Sequence, residues 1–137
     1  MKINLQKIII GAMLAASTMS AFAAPKFNNK QAISVISRED GSGTRGAFIE
    51  LFGVEKKDAN GKKVDYTTDE AAITNSTAVM LTSVAGDRYA IGYVSLGSLN
   101  DSVKAVKIDG ANATVANINN GSYKISRPFN IAIKEGL

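Results

Sequence analysis

The residues best suited to chemistry in this chain stand together at positions 38–44. In order they are Arg38, Glu39, Asp40, Gly41, Ser42, Gly43 and Thr44. Arginine supplies a planar fork of N–H donors, and the hydroxyls and backbone N–H groups that follow supply more. The start of a helix carries unpaired N–H groups and a partial positive charge, so a helix beginning here would make this run an anion site. A tetrahedral oxyanion, which accepts hydrogen bonds in all directions, fits such a set of donors.

The flanking sequence predicts the elements that would position this run, which we call the anion loop. Residues 33–36 form a short, apolar and β-branched run, which predicts a buried strand. Residues 44–51 have a helical pattern, with Ser42 or Gly43 near the N-cap and Gly53 as the stop signal. The loop is therefore expected at the carboxyl end of a strand. Asp40, two residues after Arg38, is expected to orient its guanidinium.

The rest of the chain predicts further alternation of helices and strands. Helices are predicted at 77–85 and 114–119, strands at 89–94, 103–108 and 128–133, and a polar loop with an Asn60-Gly61 turn at 54–69. Such alternation is typical of a layered α/β domain.

The first residues predict export. Lys2 and Lys7 precede a short apolar run at 8–16, and Ala21-Phe22-Ala23 fits a signal-peptidase site. The apolar run is shorter than the roughly 20 residues of a membrane-spanning helix. We expect a signal peptide at 1–23 with cleavage after Ala23, a short linker at 24–32, and a lobe at 33–137 that is incomplete at both ends. A periplasmic protein is the first expectation, and a secreted one the second.

Composition narrows the possible chemistry. The chain has no histidine and no cysteine, so it lacks the commonest general base, the commonest zinc ligands and a thiolate nucleophile. The expectation is a binding protein and not an enzyme, with no cofactor and no metal. A formal net charge of +4 is too small to favour nucleic acid.

A dinucleotide site is the alternative for the glycines. Gly41, Gly43 and Gly46 match G-x-G-x-x-G. In that fold the strand enters the first glycine directly and an acidic residue ends a second strand about 20 residues later. Here residues 38–40 intervene, and Asp65 lies in a predicted polar loop. The pattern therefore favours the anion site over the dinucleotide site.

Four ordered motifs resemble one protein family. The anion loop is similar to the R-x-D-G-S-G-T signature of periplasmic phosphate-binding proteins, the substrate-binding subunits of phosphate ABC transporters. The later matches are Asn75-Ser76-Thr77-Ala78-Val79, Ala90-Ile91-Gly92-Tyr93-Val94-Ser95 and Tyr123-Lys124-Ile125-Ser126-Arg127-Pro128-Phe129. The resemblance covers about residues 33–134.

The resemblance implies a fold and a ligand. The fold is one lobe of a periplasmic binding protein-like (type II) structure, with a mixed sheet flanked by helices. Arg38 is implied to pair with phosphate, Ser42, Gly43 and Thr44 to donate to it, and Asp40 to hold Arg38. An ABC transporter permease is the implied partner.

The resemblance matches only the second of the family's two lobes. It implies that a first lobe supplies further donors and a carboxylate that accepts the ligand's proton. We therefore interpret the chain as a truncated or split binding protein with half of the site. The alternatives are a tungstate- or molybdate-type oxyanion binder, a remnant that binds nothing, and a lobe that works with a separately encoded partner.

Overall fold

Short strands and helices alternate along the part of the chain that the structure describes. The computed structural model describes residues 26–128 and 130–136, and the predicted signal peptide lies outside them. The elements are β1 Ser34–Arg38, α1 Gly43–Leu51, β2 Glu55–Lys57, β3 Lys63–Asp65, β4 Ala72–Thr74, α2 Thr77–Gly86, β5 Ala90–Ile91, a 3-10 turn Leu96–Ser98 and α3 Val115–Asn119.

A parallel sheet of three strands determines where the helices begin. Its order is β4-β1-β5, with Arg38 opposite Thr74 and Ser34 opposite Ala90. Since the strands are parallel, their carboxyl ends meet at one edge, which we call the carboxyl edge. Helix α1 follows β1 and α2 follows β4, so both helices begin at this edge. The predicted α/β fold is confirmed, and antiparallel pairing among the described strands is confined to a separate hairpin.

That hairpin replaces most of the loop predicted at 54–69. Strands β2 and β3 pair antiparallel, with Glu55 opposite Asp65 and Lys57 opposite Lys63. The predicted turn lies between them, where the Asp58 carboxylate accepts the backbone N–H groups of Asn60 and Lys62, each at 2.8 Å. The sequence did not predict these two strands because they contain charged residues, whereas a strand is recognised by apolar alternation.

All three predicted helices are present and begin at side-chain caps. The Ser42 hydroxyl accepts the Arg45 backbone N–H at 3.3 Å at the start of α1. Ser76 does the same for Val79 in α2 at 3.2 Å, and Thr114 for Asn117 in α3 at 3.1 Å. These hydroxyls satisfy N–H groups that have no partner within the helix.

The strand predictions are less accurate. The strand predicted at 89–94 is reduced to Ala90–Ile91, β4 was not predicted, and neither 103–108 nor the described part of 128–133 is a strand. In the first of these two segments only Ile108 forms a bridge, to Ala111. Val106 is 64% exposed and Ile131 is 84% exposed. Apolar alternation does not make a strand where no neighbouring strand pairs with it.

Few apolar side chains are buried among the described residues: Ile36, Ile49 and Met80. Met80 of α2 lies against Gly92, where an added Cβ would come 2.5 Å from its sulfur. Two polar side chains are also buried, and the Thr74 hydroxyl donates to the Ser37 carbonyl oxygen at 3.0 Å. Within the described ranges, no helix has the length and apolar character that crossing a membrane requires.

Candidate anion-binding site

Arg38 lies at the carboxyl edge, as the last residue of β1. Its Nε and Nη2 atoms donate to the two oxygens of the Glu39 carboxylate at 2.8 and 2.9 Å, and Nη1 donates to the Thr77 hydroxyl at 3.2 Å. The Arg38 side chain is 12% exposed and that of Glu39 is 36% exposed. The hydrogen bonds raise the pKa of Arg38 and lower the pKa of Glu39, so both groups stay charged at neutral pH.

The backbone around Arg38 is held by groups from several elements. The Tyr93 hydroxyl accepts the Arg38 N–H at 3.0 Å and shares a 2.8 Å hydrogen bond with the Ser37 hydroxyl. The Glu39 N–H donates to the Thr74 carbonyl oxygen at 3.0 Å. The Tyr93 ring stacks on Phe48 of α1, with centroids 4.2 Å apart. The position of Arg38 is therefore fixed by β4, by α1 and by the segment after β5.

The rest of the anion loop forms a tight turn into α1. Gly41 has φ +84°, a backbone conformation that residues with a side chain rarely adopt. The Ser42 N–H donates to the Glu39 carbonyl oxygen at 3.2 Å. While the Ser42 oxygen caps the helix, its hydroxyl hydrogen remains available as a donor. The N–H groups of Gly43 and Thr44 belong to the first turn, where a helix supplies no carbonyl partner.

Two residues that the sequence analysis did not assign also contact this loop. Ser95 shares a 3.2 Å hydrogen bond with the Thr44 hydroxyl. Arg127 donates through Nη2 to the Gly43 carbonyl oxygen at 2.8 Å. Both belong to the motifs that carried the family resemblance, and that was the one signal for them in the sequence.

The structure differs from the expectation for Asp40. Its side chain is 97% exposed and pairs with Arg45, while Glu39 takes the guanidinium of Arg38. The reason is the turn at Gly41, which carries the chain out of the sheet after Arg38 and brings Asp40 beside the first turn of α1. Asp40 therefore holds the loop through Arg45 and does not contact Arg38.

Arg45 connects the loop to the hairpin. It donates to the Arg38 carbonyl oxygen at 3.2 Å and to the Asp65 carboxylate at 2.7 and 3.2 Å. The other Asp65 oxygen accepts the backbone N–H and the hydroxyl of Thr67 at 2.8 and 2.7 Å. Burial by itself would raise the pKa of Asp65, but the hydrogen bonds from Thr67 and then Arg45 lower it. Asp65 is thus a structural carboxylate and not a ribose ligand.

The arrangement can bind an anion. A guanidinium, hydroxyls and the start of a helix meet at one edge of the sheet, and this set of groups suits an oxyanion. Within residues 26–128 and 130–136 no group of three acidic, histidine or cysteine side chains could hold a metal ion.

Comparison with known proteins shows the family of this chain. The family described as "PBP superfamily domain" matches residues 15–136. "Phosphate-binding protein PstS 2" of Streptococcus agalactiae is 67% identical over 109 residues, which are 80% of this chain and 37% of that protein. The chain therefore spans little more than a third of this relative's length.

Solved structures of phosphate-binding proteins are also similar to this chain. A phosphate-binding protein of a phosphate ABC transporter from Streptococcus pneumoniae has a TM-score of 0.65 and 54% identity, over 68% of this chain and 36% of that one. A substrate-binding protein with bound phosphate from Clostridium perfringens has a TM-score of 0.60 and 45% identity, over 70% of this chain and 36% of that one. The family resemblance read from the four motifs is confirmed, and this chain belongs to the PBP superfamily of domains.

Proposed function

We propose that this chain binds inorganic phosphate at the carboxyl edge, as part of the exported binding component of an ABC-type phosphate uptake system. The observation that carries the proposal is the position of Arg38, which ends β1 at the edge of the sheet where α1 and α2 begin and bonds to Thr77, the first residue of α2. Relatives named as phosphate-binding proteins support the choice of anion.

Each residue of the proposed site has a distinct role. Arg38 supplies the charge and pairs with the phosphate oxygens. Ser42 donates through its hydroxyl, Gly43 through its N–H, and Thr44 through both groups, at the positive end of the α1 dipole. Asp40 supports the loop from outside by holding Arg45. None of these proposed roles includes proton transfer or a covalent bond, so the proposed function is binding and not catalysis.

The proposed site is open to solvent on the side of Gly43, which is exposed. Ion pairs in contact with water contribute little, so we expect a dissociation constant on the order of millimolar for this chain by itself. In the proposed assembly, a further lobe supplies additional donors and encloses the anion. That lobe is either part of the same protein or separately encoded, and the assembly delivers phosphate to a permease.

The test is a titration of the purified chain followed by NMR, which measures weak binding residue by residue. Phosphate, sulfate and molybdate are added separately at constant ionic strength. We expect phosphate to shift the amide signals of residues 42–44 with a saturable curve, and sulfate to do so with similar affinity. If only molybdate gave a saturable curve, the ligand would be a tungstate- or molybdate-type oxyanion and not phosphate. Unchanged signals for all three anions would refute the proposed function.

A further inference from the structure

The carboxylate of Glu39 occupies the side of Arg38 that an oxyanion would use. Both of its oxygens are bonded to the guanidinium, at 2.8 and 2.9 Å. A carboxylate and a phosphate use the same paired N–H geometry on arginine. Neighbouring side chains on a regular strand point to opposite faces. This pair can form because β1 ends at Arg38 and the chain turns at Glu39, whose carbonyl oxygen accepts the Ser42 N–H.

We propose that Glu39 is a built-in competitor of the anion, which must displace it from Arg38 in order to bind. The inference rests on the proposed function and concerns the regulation of that same site. Glu39 therefore sets the strength of phosphate binding without contacting phosphate.

The charge of Glu39 opposes the anion wherever the anion binds. Arginine has five N–H donors, and three of them are engaged by Glu39 and Thr77. A phosphate at the Nε–Nη2 side needs the position that the carboxylate holds. A phosphate at the two remaining donors would share one guanidinium with a second anion and be repelled by it.

Exposure favours displacement of Glu39 over movement of Arg38. The Glu39 side chain is 36% exposed and the Arg38 side chain 12% exposed, so the carboxylate lies on the solvent side of the pair. Because taking a carboxylate out of water costs free energy, hydration of the released Glu39 carboxylate offsets part of the free energy of the lost ion pair.

Arg38 keeps other attachments when Glu39 leaves. Its Nη1 is bonded to Thr77 at 3.2 Å, and its backbone N–H to the Tyr93 hydroxyl at 3.0 Å. Neither contact involves the Glu39 side chain. The guanidinium therefore remains at the carboxyl edge, ready for an anion, after the carboxylate is displaced.

The test compares phosphate binding by the purified wild-type chain with Glu39→Gln and Glu39→Ala, by NMR at constant ionic strength. Both substitutions remove the competing charge, and we expect each to tighten binding by about three- to fivefold. The matched control is Glu50→Gln, which removes one charge from an exposed residue of α1 and is expected to leave affinity unchanged. In wild type, the Glu39 carboxyl carbon signal should shift as phosphate is added.

The outcomes separate this inference from the proposed function. Tighter phosphate binding than wild type in both Glu39 variants, but not in Glu50→Gln, supports competition. The same conclusion holds if the two Glu39 variants bind measurably and the wild type binds too weakly to measure. Wild-type binding that is unchanged or weakened in both variants overturns the inference and leaves the proposed function standing. An equal gain in Glu50→Gln also overturns it, since general electrostatics would then be the cause. Unchanged signals in all four proteins would refute the proposed function itself.

Discussion

The Tyr93 hydroxyl accepts the backbone N–H of Arg38 at 3.0 Å. The pairing of β1 with β5 covers only Ser34 and Val35, so at Arg38 a side chain from the neighbouring segment takes the place of a strand. The same hydroxyl is bonded to Ser37, which is 1% exposed. One phenol oxygen thus holds the end of β1 and the residue proposed to carry the anion's charge.

Tyr93→Phe should destabilise the chain and weaken phosphate binding. It leaves the Ser37 hydroxyl and the Arg38 N–H without this partner, which costs about 1–3 kcal/mol in a buried setting. Urea unfolding measures the stability change, and NMR titration the affinity. Tyr66→Phe, at a residue that is 59% exposed, is the control. Equal stability of the two variants would contradict the assigned role of Tyr93.

Arg38→Ala should abolish phosphate binding, because no other residue of the proposed set carries a positive charge. Arg38→Lys should restore it only partly, since an ammonium cannot form the paired contacts of a guanidinium. Titration with phosphate measures the affinity of both variants. Lys62→Ala, on the exposed hairpin turn, is the control for the loss of a positive charge. Binding by Arg38→Ala at wild-type strength would show that phosphate binds elsewhere.

Gly92→Ala should destabilise the chain by about 1–3 kcal/mol, the usual cost of overpacking a core. The added methyl group would meet the Met80 sulfur at 2.5 Å and Val84 at 3.0 Å, and Met80 is 1% exposed. Gly97→Ala is the matched control, because nothing lies within 4 Å of a Cβ there. Thermal unfolding compares the two, and we expect only the first to lower the midpoint. A similar loss at both positions would contradict the close packing at Gly92.

Asp65→Asn should cost about 1–2 kcal/mol at neutral pH, since it weakens charge-assisted bonds to Arg45. Asp65 has a folded pKa below its ordinary value of 3.8. Its stabilising contribution is therefore complete above that value and is lost as pH falls through the lower folded pKa. Urea unfolding of wild type and variant at several pH values should show their difference shrinking in acid. A difference independent of pH would contradict the ion pair, and Asp101→Asn, at an exposed residue, is the control.

The chain should self-associate through exposed apolar side chains of its sheet. Ile73 of β4 and Ile91 of β5 lie opposite Ser37 and Val35, so they share one face, and they are 58% and 48% exposed. An edge strand with such residues favours pairing between copies. Sedimentation velocity should show oligomers that increase with concentration and decrease in Ile73→Lys. A wild-type chain that stays monomeric at high concentration would contradict this prediction.

The sequence by itself determined the local features of this protein. The strand at β1, the cap at Ser42 and the three helices depend on residues within one or two turns, so short patterns predict them. The four ordered motifs also predicted the family, and the first of them, at 38–44, combines glycine, hydroxyl and charged residues in a fixed order.

Only the tertiary structure decided which side chains meet. A strand needs a neighbouring strand to pair with. The three residues of β4 are too few to show a pattern, while the segment at 103–108 has the pattern but pairs with no strand in the described part of the chain. The pairing of Arg38 with Glu39, and of Asp40 with Arg45, depends on the turn at Gly41. The contacts of Tyr93, Ser95 and Arg127 with the loop join residues 51 to 84 positions apart. Sequence patterns describe neighbours along the chain, whereas these contacts form when parallel strands bring distant segments to one edge.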